Sequence, residues 1–169
     1  VREPLLVTRQ REGDVLEEML TMLKVRFPEL NPSNTVVLMV SPDYSATVAM
    51  HMAHKLSKDG EMCDLMMVDV PFPDQQADWF MSQLKRTLTI SAKTYDNYVL
   101  AEAGIIRGGN YTWICDLMKD YIPSDSRIIT TALFENVHSK FKSDVVGEYY
   151  DDKTQDLTFY YEEYNKHWD

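Results

Sequence analysis

Arg107, Gly108, Gly109, Asn110 and Thr112 place a fixed cation, two residues without side chains, an amide and a hydroxyl in one short segment. Such a set suits an anion. Glycines let a ligand approach the backbone, the guanidinium supplies charge, and a helix opening here points its unpaired N–H groups outward. The residues before it, Tyr98 to Ile106, are apolar apart from Glu102, so YVLAEAGIIRGGNYTW reads as strand, turn and helix start. Parallel α/β proteins gather their chemistry at such turns. An ordinary βα turn without a ligand accounts for the same residues.

Other reactive side chains form weaker sets. His51 and His54 share a helical spacing, but a metal needs a third ligand, and without one in reach surface or packing roles fit them better. Spacing alone shows no Ser, His, Asp arrangement, so nucleophilic catalysis has no support. Cys63 and Cys115 sit in apolar segments without CxxC spacing. That argues against a disulfide framework or a zinc site and for buried free thiols in a reducing cytosol.

The elements that must position the turn alternate along the chain. Asp14 to Val25 carries apolar residues at helical spacing and ends before Pro28 and Pro32. Thr35 to Val40 is a short continuous apolar run, the pattern of a strand buried on both faces of a parallel sheet. Ser41 and Pro42 are a helix-start signal for a segment reaching about Lys58, which Asp59 and Gly60 close. Cys63 to Val70 is the next strand and Asp74 to Lys85, with Trp79 and Phe80, reads as a helix; Leu88 to Ala92 is ambiguous. Tyr98 to Ala101 and Arg127 to Phe134 are further strands, with a helix over Tyr111 to Tyr121 between them. Alternation of this kind implies an α/β fold, a parallel sheet flanked by helices. Val145 to Tyr150 and Leu157 to Tyr161, around a turn at Asp151 to Thr154, add a small β-rich C-terminal appendage.

At 169 residues, 44% hydrophobic and 26% charged, the chain fits one globular domain. Its core is expected over about 35–135 and its appendage over about 136–169. The net charge of −10 argues against broad nucleic-acid binding and against an anionic membrane surface. Acids crowd the last third, including Asp151, Asp152, Asp156, Glu162, Glu163 and Asp169, and read as a solvated acidic end. No run is long enough to span a membrane and no signal-peptide pattern is visible, so a cytoplasmic location is expected. The chain opens on Val1 rather than Met, as a trimmed or truncated chain would.

The order of these motifs resembles the type I phosphoribosyltransferases, and among them the purine-salvage enzymes acting on hypoxanthine, guanine or xanthine. Two stretches carry the resemblance: Val99 to Thr112, and Leu133 to Trp168, where Lys142, Ser143, Asp144, Val145, Val146 and Gly147 precede an aromatic segment at Phe159 to Glu162. The likeness runs from about Thr35 to the C-terminus. It implies transfer of phosphoribosyl from phosphoribosyl pyrophosphate to a purine-like base, with magnesium as the cofactor of an active enzyme and homo-oligomers as a common state. It assigns phosphate binding to Arg107, Gly108, Gly109, Asn110 and Thr112. Base binding falls to Lys142, Val146 and Phe159, and the catalytic carboxylate to Glu102.

Several positions depart from the family. Its paired acids at the strand end fall on Ala103 and Gly104, and a later acid falls on Arg107. This removes the hard oxygen ligands that magnesium prefers. Ser41, Pro42, Asp43, Tyr44 and Ser45 stand where the family has its pyrophosphate loop. Three readings follow: a divergent transferase of nucleobase or nucleotide metabolism, a catalytically inactive nucleotide-binding or regulatory protein on the same fold, and an acidic interaction protein.

Overall fold

The computed structural model describes residues 2–40, 42–68, 85–86 and 93–161. The side chains of residues 42–44 are outside this description, as are the expected helix over Asp74 to Lys85, apart from helical residues 85–86, and the segment Leu88 to Ala92. In chain order the elements are β1 (Glu3–Val7), α1 (Arg9–Arg26), β2 (Thr35–Val40), α2 (Pro42–Leu56), β3 (Asp64–Val68), β4 (Asn97–Ile105), α3 (Gly109–Met118), β5 (Arg127–Asn136), β6 (Val145–Tyr150) and β7 (Gln155–Phe159).

Five strands form one parallel sheet in the order β3-β2-β4-β5-β6, flanked by helices, as the alternating pattern predicts. Alternate residues of the central strands feed two cores. On β2, Val37 and Met39 join the core under α1 and α2, whereas Val36, Leu38 and Val40 join the one under α3. Every residue of β2 is buried, which is why it reads as a continuous apolar run rather than an alternating one. Cys63 is buried and Cys115 half-buried, both are free, and burial pushes each thiol up to about 11.

Two elements extend beyond the sequence reading. Helix α1 begins at Arg9, not Asp14, because Thr8 caps it: its Oγ1 accepts from the Arg11 N–H at 3.2 Å. The first turn is polar and so carries no apolar period. Strand β1 was not legible at all. It pairs in parallel with β7 in a separate two-stranded sheet, from Glu3↔Gln155 to Val7↔Phe159, and buries Leu5 and Val7 in the α1 core. Strand β7 correspondingly begins at Gln155 rather than Leu157.

The connection from β5 to β6 has no helix. Residues 137–144 fold back over the α3 face, where Phe141 packs edge-on against Tyr111 at 5.3 Å. Backbone donors left by this short crossover find carboxylates: Ser143 N–H donates to Glu135 Oε2 at 3.0 Å, and Thr130 N–H to Asp144 Oδ2 at 2.8 Å. Arg26 reaches the Asp144 carbonyl and Arg11 pairs with Glu148, so α1 braces the start of β6 and its middle.

Candidate active site

Strand β2 leads through α2 to β3 on one side of the sheet, while β4 leads through α3 to β5 on the other. The carboxyl ends of β2 and β4 therefore flank the point where strand order reverses, and a crevice opens there. It is a cleft of about 420 Å³ lined by Glu102 and the continuous run from Gly104 to Tyr111.

The turn is built around Gly108, which sits at φ 78° and ψ 6° as the N-cap of α3. A side chain there would collide with Phe141 Cβ and lie 2.7 Å from Ser139 Oγ, so the conformation and the space both require glycine. Gly109 differs: it has no positive φ, and a Cβ on it would meet nothing within 4 Å. The first helical N–H to find an intrahelical acceptor is that of Thr112, on the Gly108 carbonyl at 3.1 Å, so the preceding donors face the cleft mouth. Arg107 and Asn110 are exposed on the lining, and Arg107 makes no ion pair among the described residues.

Thr112 is not part of this lining. Its hydroxyl donates to the Gly108 carbonyl at 3.2 Å, because on the first turn of a helix that carbonyl lies within reach of a side chain four residues on.

Glu102 lies one residue past the last β2–β4 pair, Met39↔Ala101, where β2 is ending. Its carboxylate turns toward α2: Oε1 accepts from Ser45 Oγ at 2.6 Å and from Ala103 N–H at 3.0 Å, and the side chain is 8% exposed. Tyr111, fully buried beneath the turn, donates to the Thr131 carbonyl at 2.6 Å. Burial raises its phenol well above the ordinary range, and the charge of Glu102 adds to the effect.

The proposed base-binding residues lie on the β5–β6 side. Lys142 is exposed; its Nζ donates to the Val137 carbonyl at 3.0 Å and lies 3.8 Å from Glu135 Oε1. Glu135 is fully buried with Oε1 lacking a hydrogen bond. Val146 is buried on β6 beside Ala132. Lys142 belongs to the loop whose Ser139 and Phe141 rest on Gly108, so the two halves of the expected site are joined through that contact.

Phe159 is placed differently from the sequence expectation. It is 4% exposed, its ring stacks on Tyr161 at 5.2 Å and meets Phe134 edge-on at 5.8 Å. With Leu157 it packs against Gly104, so its ring closes the core and has no open face for a base. The reason is the β1–β7 pairing, which turns Phe159 inward beside Val7.

Asn136 organises the site and was not singled out from the sequence. Buried at the end of β5, it donates through Nδ2 to the Ile106 carbonyl at 2.9 Å, while Oδ1 accepts from His138 N–H at 3.1 Å and Asp152 N–H at 3.3 Å. One amide thus fixes the Arg107 turn and two neighbouring loops. The Asn-x-x-Ser turn pattern after an apolar run was the available signal.

No protein-family model matches the chain, and no curated protein matches it by sequence. Solved structures do. A purine phosphoribosyltransferase from Pyrococcus horikoshii OT3 superposes with a TM-score of 0.63 at 14% identity, over 93% of this chain and 92% of that one. The chain has the type I phosphoribosyltransferase fold. A xanthine-guanine-hypoxanthine phosphoribosyltransferase from Helicobacter pylori gives 0.65 at 10% identity, over 99% of this chain and 98% of that one. A hypoxanthine phosphoribosyltransferase from Staphylococcus aureus gives 0.58 at 10% identity, over 83% and 75%. The likeness reaches beyond the stretch from Thr35 onward, taking in β1 and α1 as well.

A phosphoribosyltransferase fold raises the question of magnesium. Among the described residues lining the cleft, Glu102 is the one carboxylate, and its Oε1 already accepts two hydrogen bonds. Ala103 and Gly104 bring no side-chain oxygen. These residues do not fit a magnesium ion held by the protein.

Proposed function

We propose that the chain binds a phosphorylated ribose, as in phosphoribosyl pyrophosphate or a purine nucleoside monophosphate, and acts in nucleobase or nucleotide metabolism. The carrying observation is the pair of glycines: Gly108 is demanded by backbone and packing, whereas Gly109 is demanded by neither and leaves the N-terminus of α3 open to a ligand. Arg107 and Asn110 complete the phosphate site, and Lys142 with the backbone near Val146 faces the base.

Calorimetry with GMP and IMP tests this reading. Saturable binding that Arg107→Ala weakens by about 1.5 to 3 kcal/mol is expected for loss of a charge-assisted hydrogen bond. Absence of binding, or an affinity unchanged in the variant, would sink it.

A second reading adds catalysis, and Glu102 at the cleft is the observation in its favour. Release of pyrophosphate from phosphoribosyl pyrophosphate in the presence of hypoxanthine, guanine or xanthine would establish transfer. Nucleotide binding without turnover would leave a regulatory or storage role on the same fold.

A further inference from the structure

Three potential metal ligands converge away from the cleft. His138 follows β5, Asp151 and Asp152 follow β6, and one ligand atom from each lies within 4.8 Å of the other two. We infer that His138, Asp151 and Asp152 form a binding site for a first-row divalent cation of the Zn²⁺ or Co²⁺ class.

The chemistry of the set selects the ion. One imidazole nitrogen with two carboxylates is a mixed N,O,O donor group, which favours later first-row metals over the all-oxygen preference of magnesium and calcium. Two negative charges match a dication. Metal–ligand bonds of about 2.1 Å in tetrahedral arrangement separate ligand atoms by roughly 3.4 Å. His138 Nε2 and Asp151 Oδ1 are already 3.1 Å apart, so the ion requires small side-chain adjustments.

The backbone that carries these ligands is fixed by bonds that owe nothing to an ion. Asn136 Oδ1 holds the N–H groups of both His138 and Asp152, Val137 N–H donates to the Tyr150 carbonyl at 2.8 Å, and Gln155 Oε1 accepts from Asp151 N–H at 3.2 Å. Asp151 Oδ1 takes the Lys153 N–H at 2.9 Å and pairs with His138 Nε2 at 3.1 Å, a pair that an ion would replace, while the Asp152 carboxylate has no hydrogen bond or ion pair among the described residues. The side chains of His138 and Asp151 are 41% and 39% exposed, which gives an ion a path in. Three protein ligands leave a coordination position for water or an anion.

The inference does not depend on the phosphate site. Untagged full-length protein is titrated with Zn²⁺ by calorimetry and with Co²⁺ by visible absorption, with far-UV circular dichroism to verify folding of each variant. One saturable equivalent is expected, with ligand-field bands on Co²⁺ binding. His138→Ala and the near-isosteric Asp152→Asn should each weaken it at least tenfold, while the double variant His51→Ala/His54→Ala leaves it unchanged. Lack of saturable uptake, retention of wild-type affinity in both site variants, or loss in the His51/His54 variant would each overturn the assignment.

Discussion

A methyl group on Gly108 would land on Phe141 Cβ with the backbone already in the left-handed region, whereas the same methyl on Gly109 would meet nothing. Gly108→Ala should therefore cost about 2 to 4 kcal/mol in urea denaturation, the sum of left-handed strain and overpacking. Gly109→Ala should be neutral or up to about 1 kcal/mol more stable, since alanine is the better helix former; it should nevertheless weaken nucleotide binding by narrowing the approach. The two variants separate stability from ligand access at adjacent positions. Ser45→Ala should cost about 1.5 to 3 kcal/mol by removing a hydrogen bond to the buried Glu102 carboxylate. Glu12 gives a test by pH. Burial raises its carboxyl above the usual 4.5, outweighing bonding from Tyr160 and attraction by Arg9, so folding favours the protonated acid. Its contribution to stability is full below pH 4.5 and is lost as pH rises through the folded pKa. Glu12→Gln should thus be the more stable protein at pH 7, the advantage vanishing below pH 4.5 in denaturation curves. At this scale the turn from Arg107 to Asn110 was legible in the sequence, because charge and missing side chains are local properties. The bonds of Ser45 to Glu102 and of Asn136 to Ile106 were not legible there, because these partners lie 57 and 30 residues away.

Among the elements, the bounds of β2 and β6 were legible to the residue, β2 as an apolar run and β6 as paired valines and tyrosines before a turn, although β6 joins the parallel sheet rather than an appendage. Helix α3 begins at Gly109 rather than Tyr111, and the difference matters, since the apolar period starts with Tyr111 but the anion-facing N–H groups belong to the residues before it. Strand β1 escaped because five residues carry little periodicity and its partner is distant in sequence. Its pairing also explains why Phe159 is a core residue. Closing a loop of about 150 residues to form the β1–β7 pair costs roughly 4 kcal/mol in chain entropy. Few hydrogen bonds offset that, so native-state hydrogen exchange should show β1 and β7 amides opening well before those of β2, β4 and β5. Uniform protection across both sheets would contradict this order.

For the molecule as a whole, alternating strands and helices were enough to reach the architecture, and solved structures at 10 to 14% identity share it. No helix among the described residues is long and apolar enough to cross a membrane. The position of the cleft follows from the sheet's strand order, which no local pattern encodes. The acidic C-terminal third turned out to be heterogeneous: Asp144 accepts from the N–H and hydroxyl of Thr130, Glu148 pairs with Arg11, and Asp151 with Asp152 converges on His138. The parallel pair of β1 with β7 has one more consequence, for the making of the protein. At about 5 to 20 residues per second, β1 is synthesised roughly 8 to 30 s before its partner. Through that interval Leu5 and Val7 lack the β7 partner that helps bury them, so the segment carrying β1 stays open to a holdase that recognises short apolar segments until β7 is made.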